Sequence, residues 1–426
     1  MSFARYPTYK DSGVEWLGQV PEHWDTLPLS RTASESESLF IDGDWIESKD
    51  LSDDGIRYLT SGNVGDGYYK EQGQGYISEE TFTALNCVEV IPGDVLISRL
   101  NLPIGRSCLV PDLGGRIVTC VDNVIVRPDP DFDRRFFVYQ LTSKSHFANM
   151  ENLARGTTMQ RISRSVLGRV RFAFPPLLEQ TQIAAFLDRE TAKIDGLVTE
   201  QRRLMALLKE KRQAVISHAV TRGLNPDAPM KPSGIEWLGD VPEHWEVCAL
   251  RRIVSMQSGE SITGETIGET GEFPVFGGNG LRGYTTAFTH DGKYVLIGRQ
   301  GALCGNINYA LGKFWASEHA VVVTPVKQIE SVWLGEMLRA MNLNQYSVAA
   351  AQPGLSVDLV GRIGICVPPH PEQIQIAAFL DRETANIDTL TAEAQRAIAL
   401  LQERRTALIS AAVTGQIDVR ATANSL

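Results

Sequence analysis

At 426 residues the chain has room for two or three domains with their own cores, and 43% apolar against 22% charged residues describe an ordinary globular protein. No apolar run approaches the roughly 20 residues that span a bilayer, and the opening MSFARYPTYKDSG lacks the apolar core of a secretory signal, so a cytoplasmic location without membrane contact is expected. A net charge of −10 argues against a wide basic surface, although Arg155, Arg161, Arg164, Arg169 and Arg171 crowd one short run opposed only by Glu151.

The chain opens with a cap segment, residues 1–25, carrying GVEWLGQVPEHW at Gly13 to Trp24. A near copy, GIEWLGDVPEHW at Gly234 to Trp245, ends a linker at residues 223–245. Trp16, Trp24, Trp237 and Trp245 are large apolar anchors, and Pro21 and Pro242 suit tight turns. His23 and His244 each sit alone between a Glu and a Trp, which favours a hydrogen-bonded structural role over general-base chemistry.

Behind each cap lies a variable segment, residues 26–174 and 246–367. The β-branched runs VLIS, VIVRP, YVLIG and VVVTP, bounded by Gly or Pro, predict buried strands. RFFVYQLTSKSHFANM and SVWLGEMLRAMNLNQY follow with helical amphipathic spacing. The two segments share anchors in one order. Gly62-Asn63 and Gly67-Tyr68 echo Gly278-Asn279 and Gly283-Tyr284, and VLI with Arg99 and Gly105 echoes VLI with Arg299 and Gly305. Val124 and Pro128 then match Val321 and Pro325, and Ser163 before LGRV matches Ser356 before VGRI. One α+β scaffold is therefore used twice with different loops. The extra length of the first, mostly between Tyr68 and Val95, reads as a loop insertion.

The closest repeat follows each variable segment: EQTQIAAFLDRETAKID at Glu179 to Asp195 and EQIQIAAFLDRETANID at Glu372 to Asp388. Pro175-Pro176 and Pro368-Pro369 block helices from upstream, and Gly223 and Gly415 sit where C-caps belong. Long helices are thus expected within 175–222 and 368–417, ahead of a tail at 418–426. Leu187, Ile194, Leu208 and Val215 keep a heptad spacing, as do Leu380, Ile387, Leu401 and Leu408. Ile183, Leu197, Leu204, Ile376 and Leu390 read as their companions. About 35 to 40 helical residues would reach roughly 50 to 60 Å. Such a stripe needs a partner, and the tethered second copy is the nearest one; packing on other proteins is the alternative. The expected fold class is α+β. Two pseudo-two-fold-related α+β domains are joined by two long antiparallel helices forming an intramolecular coiled coil, with one domain at either end.

A variable α+β domain followed by a near-constant long helix, twice over, resembles the DNA specificity (S) subunits of type I restriction-modification systems, the HsdS family. The residues that carry the resemblance are PPLLEQTQIAAFLDRETAKID and PPHPEQIQIAAFLDRETANID, WLGQVPEHW and WLGDVPEHW, GDVLISR and FPVFGGNGLRGYT. It covers essentially the whole chain. It implies a non-catalytic subunit whose two target-recognition domains each read one half of a bipartite, asymmetric double-stranded DNA site. The helical pair then sets the spacer and docks two methyltransferase (M) subunits, and two motor-endonuclease (R) subunits complete the complex. S-adenosylmethionine, ATP and Mg2+ belong to those partners, so no cofactor is expected in this chain. An S-like subunit of another methylation or defence system, or a helical scaffold without sequence readout, are the alternatives.

Base readout needs side chains with paired donors and acceptors, Arg toward guanine and Asn or Gln toward adenine. Loops beside the strands offer Asn63, Arg99, Asn101 and Arg106 in the first domain, and Asn279, Arg282, Arg299, Gln300 and Asn306 in the second. The polar stretches GTTMQRISRS and AAAQPGLSVD add Gln160, Arg161 and Ser163, and Gln352 and Ser356. Arg99 and Arg299 equally suit loop-holding ion pairs, and Asn63 and Asn279 equally suit left-handed turns.

Signals of chemistry fail on inspection. Phe276 to Gly280 imitates a methyltransferase FxGxG loop without the companion NPPY or DPPY. Asp44, Glu47 and Lys49 imitate a nuclease triad at too short a spacing, and no GxxxxGK[ST] loop exists. The six cysteines are scattered with no CxxC pair, which suits reduced thiols and gives no metal site.

Overall fold

The computed structural model describes residues 3–73, 75–156, 159–301, 304–347 and 354–423. It divides into two compact units, Met1–Gln201 with Arg396–Leu426, and Arg202–Gln395.

In the first unit the central sheet is antiparallel, in the order Leu39–Asp42, Asn123–Arg127, Val95–Ser98, Ser107–Leu109. Strand alternation sorts its β-branched residues to two buried faces. Val95, Ile97, Val124 and Val126 join a core with Trp24, Phe136, Phe137 and Met150, whereas Leu96 and Ile125 pack with Leu59, Val64 and Ile117. Asp25–Pro28 pairs with Arg171–Phe174, and Tyr9–Asp11 with Gln19–Pro21.

The second unit repeats that plan strand for strand. Its sheet runs Val254–Ser258, Ala320–Pro325, His290–Gly298, Ile307–Ala316, and continues into Phe273–Gly277 and Gly280–Thr285. Val295, Ile297, Val321 and Val323 face a core with Trp245, Trp333 and Leu338, while Leu296 and Val322 pack with Phe314. Glu246–Ala249 pairs with Gly364–Val367, and Met230–Pro232 with Asp240–Pro242.

The extra length of the first scaffold is not a loop. Tyr76–Ile77 joins a second sheet in the order Ile117–Thr119, Ile56–Leu59, Tyr76–Ile77, Leu51–Ser52, and Glu79–Ala84 is helical. Ile77 is buried against Ile56 and Val118, a long-range contact that the flanking Gly- and Gln-rich sequence hides.

The long helices are Leu177–Arg222 and His370–Val413, of 46 and 44 residues, longer than the heptad count suggested because each starts directly after its Pro-Pro pair. In the first unit Ile183 and Leu187 share a core with Ile409 and Val413, while Asp195 meets Arg405 at 3.0 Å. Early residues of one helix thus face late residues of the other, so the pairing is antiparallel. In the second unit Ile216 and Val220 share a core with Ile376 and Leu380, and Arg212 pairs with Asp388. Of the heptad residues, Leu187, Ile194, Leu208, Leu380 and Ile387 are buried, and Val215, Leu401 and Leu408 half-buried. Of the companions, Ile183 and Ile376 are buried as expected, and the other three differ. Leu197, Leu204 and Leu390, three residues after a seam position, are exposed. The seam takes the residue four on instead at Val198 and Ile398, which are buried, and Ala394 fills the heptad position after Ile387.

The duplicated Glu-Gln pair explains how each long helix is fastened. Glu179 is buried and accepts from the Tyr6 hydroxyl at 2.7 Å and Trp24 Nε1 at 3.0 Å, with His23 Nε2 at 2.7 Å. Glu372 meets Trp245 Nε1 at 3.1 Å and His244 Nε2 at 2.8 Å. Gln180 and Gln373 accept from the backbone N–H groups of Asp133 and Glu330, both at 2.9 Å. Their amides donate to Pro175 and Pro368 carbonyls. Both caps are therefore hydrogen-bonded anchors, and His23 and His244 belong to them. Glu179→Ala should cost about 2 to 4 kcal/mol, because it strands buried donors on Tyr6 and Trp24. Glu372→Ala should cost less, since its own side chain is 24% exposed and that of its partner His244 51%. Urea unfolding followed by tryptophan fluorescence measures both; a Glu179→Ala protein as stable as the parent would contradict the anchoring role.

Candidate DNA interface

The ends of the central strands fix where variable loops emerge. In the first unit the C-terminal ends of Leu39–Asp42 and Val95–Ser98 meet the N-terminal end of Asn123–Arg127 at one edge. The Arg99 N–H donates to Asp122 O at 2.8 Å, Ile162 N–H to Arg99 O at 3.1 Å, and Asn101 N–H to Gln160 O at 3.2 Å. In the second unit Arg299 N–H donates to His319 O and Leu355 N–H to Arg299 O, both at 2.9 Å. Two sequence-distant loops are thus held side by side at the same edge of each scaffold.

Each edge loop returns through a glycine. Gly105 and Gly305 hold φ of 81° and 86°, and a Cβ on either would stand 2.7 Å from His146 Nε2 or from the Asn344 backbone nitrogen. Only glycine meets both the left-handed backbone and the close approach. This is why these two positions recur in both halves.

The structure corrects three of the proposed DNA contacts. Asn63 is buried and its amide is fully engaged, accepting from Thr60 N–H and donating to the Lys70 and Gln72 carbonyls at 3.0 and 2.9 Å. Arg99 is buried, 3.1 Å from Asp42 and hydrogen-bonded to the Val121 and Ile162 carbonyls. Arg106 clasps its own loop, donating to the carbonyls of Ser61, Val64, Leu100, Asn101 and Pro103. Burial lowers the pKa of both arginines from the usual value. All three are loop-holding side chains.

The others lie at or near the surface. Asn101 is exposed with φ of 60°, Gln160 is half-buried, and exposed Arg161 is oriented by an ion pair with Asp122. Ser163 and Ser356 cap short helices, accepting from Val166 and Leu359 N–H groups. Asn279, Arg282 and Gln300 are exposed, and half-buried Asn306 donates to Asn279 Oδ1 at 3.3 Å. Arg299 is half-buried and donates to Ser258 Oγ at 3.0 Å, where the first scaffold has Asp42. Gly278 lies against the His319 and Gln300 carbonyls, which brings the Asn279 turn to the same edge. Gln352 lies outside the described residues. Trp45, Leu102 and Met159 are also exposed at the first edge, and exposure of an apolar loop residue leaves no periodic trace in sequence.

No cluster of three or more His, Cys, Asp or Glu side chains that could hold a metal is found among the described residues, and no described helix is long and apolar enough to cross a membrane. Asp44 Oδ2 accepts from the Val88 N–H at 3.0 Å, and Glu47 pairs with Lys49.

A family model of the type I restriction modification DNA specificity domain matches residues 38–203 and again 242–399. The chain belongs to that family. One stretch of 146 residues is 48% identical to the type I restriction enzyme EcoprrI specificity subunit of Escherichia coli, covering 33% of this chain and 35% of that protein. Another of 119 residues is 32% identical to a putative type I restriction enzyme specificity subunit of Haemophilus influenzae, covering 27% and 31%. These matches span about a third of the relatives' length. A solved chain from work on complex assembly and conformational transition of the type I R-M system shares the fold over 92% of this chain and 98% of its own, with TM-score 0.67 and 17% identity. The HsdS subunit of Thermoanaerobacter tengcongensis does so over 93% and 98%, with TM-score 0.55 and 16% identity.

Within this specificity-family chain one buried base supports the first edge loop. His146 Nε2 donates to the Gly105 carbonyl at 3.1 Å, so the neutral ring carries its proton there. Complete burial pushes its pKa from 6.5 down to about 4. The unfolded chain takes up that proton near the ordinary value and the folded chain only near the lowered one. Stability should therefore fall as pH drops through this window, by up to about 3 kcal/mol. His146→Gln keeps a donor without titrating and should flatten the dependence of the urea midpoint on pH. An unchanged slope would place the acid sensitivity elsewhere.

Proposed function

We propose that the chain is the non-catalytic, sequence-reading subunit of a cytoplasmic type I restriction-modification complex. Each scaffold reads one half of a bipartite, asymmetric site on double-stranded DNA. The carrying observation is that one sheet edge, built by the same strand order and the same loop hydrogen bonds, presents different polar groups in each copy. The first edge offers Asn101, Gln160 and Arg161, and the second Asn279, Arg282, Gln300 and Asn306. Unlike amides and guanidinium groups on a shared frame suit unlike half-sites, because base identity is read by donor and acceptor pattern.

The long helices are the docking platform for two methyltransferase subunits, with two motor-endonuclease subunits completing the assembly. Leu197 and Leu390, and likewise Leu207 and Leu400, occupy equivalent positions of the two helices, and all four are exposed. An apolar residue repeated at equivalent exposed sites fits one partner surface bound twice. S-adenosylmethionine, ATP and Mg2+ act on those partners.

Long-read detection of modified bases in cells with and without the gene tests this reading. A methylated motif of two unlike halves around a fixed gap should vanish with the gene. An unchanged methylation map would refute the proposal.

A further inference from the structure

The first edge loop ends in apolar side chains where a water-facing loop would carry polar ones. Leu102 and Met159 are 57% and 58% exposed, and Pro103 beside Leu102 is also exposed. They lie on the two loops that the structure pairs. Asn101 N–H bonds to Gln160 O, and Arg155 and Arg161 exchange backbone hydrogen bonds of 3.0 and 2.9 Å, which brings Met159 beside the Leu102 loop. Arg106 holds the other loop by its carbonyls, so the backbone under Leu102 is fixed while its side chain stays in solvent. Around this apolar tip stand Asn101, Gln160, Arg155 and Arg161. Trp45, at the same edge, differs because its indole donates to the Glu47 carboxylate at 3.2 Å, a neighbour that repels phosphate.

We propose that Leu102, Pro103 and Met159 form a wedge that enters a base step of the half-site read by the first scaffold. The inference rests on the DNA-reading function proposed above. Leu, Met and Pro side chains are the kind that part stacked bases, and flanking arginines offset the approach to phosphate. A clasped loop suits this task better than a mobile one, because the wedge must hold its place against restacking. Opening a step adds selectivity, since pyrimidine–purine steps unstack most easily. Leu102 and its neighbours thus determine specificity without hydrogen-bonding any base.

The test uses the full chain assembled with its methyltransferase subunits, and duplexes carrying the methylated motif. 2-Aminopurine is placed at each position of the first half-site in turn, apart from the base that becomes methylated. The parent complex should raise fluorescence at one step, and Leu102→Ala with Met159→Ala should abolish that rise. The double variant should also bind about tenfold more weakly, and an abasic site at the opened step should restore most of the lost affinity. Leu102→Phe should keep the signal. A double variant that retains the fluorescence rise overturns the wedge, as does one that fails only in assembling with the methyltransferase, which would assign the tip to a protein contact. A parent complex with equal affinity for all sequences would instead overturn the DNA-reading function itself.

Discussion

A carboxylate removed from water must be given hydrogen bonds, and the fold meets that requirement fully at the buried Glu179 and in part at the half-buried Glu372. Glu179 and Glu372 enter the structure at the start of each long helix and are met by the indole and imidazole of a cap segment. The adjacent Gln180 and Gln373 tie the same helical turn to the start of a scaffold helix. Two consecutive side chains thus lock cap, scaffold and long helix into one body within each unit. An unpaired buried carboxylate would cost several kcal/mol, so the cap cannot detach without exposing the helix start.

That fastening allows the rest to vary. Glu179 and Gln180 keep the same kinds of partner as Glu372 and Gln373 in the other half. Asp195 meets Arg405, and Asp388 meets Arg212, so one acidic position serves both copies of the helix. The loops at the strand ends carry no such duty, and Asp42 and Asp122 of the first edge are replaced by Ser258 and His319 in the second. Constancy belongs to the packing, and divergence belongs to the face from which reading groups project.

Much of this was legible in the residues. Strand runs such as VLIS declared themselves because both faces are buried, and Gly105 and Gly305 recurred at one place in both halves, where a left-handed backbone meets a close approach. The heptad positions were legible as well, with the companions Ile183 and Ile376, yet three other companions were not. Leu197 and Val198 are adjacent apolar residues, and which of them enters the seam depends on where the partner helix lies. Side-chain engagement was equally hidden. Nothing local distinguishes Arg99, buried against Asp42, from Arg161 at the surface, since their partners arrive from distant strands. Asn63 and Asn279 share a sequence context, but only the former is buried, its amide held by Thr60, Lys70 and Gln72.

The central claim is that each scaffold addresses its own half-site independently. Replacing residues 26–174 by the equivalent segment of a relative, and mapping methylated bases in cells carrying the hybrid, tests it most directly. One half of the motif should change to that of the donor while the other half stays as it was. A hybrid in which both halves change, or neither does, would contradict two independent readers.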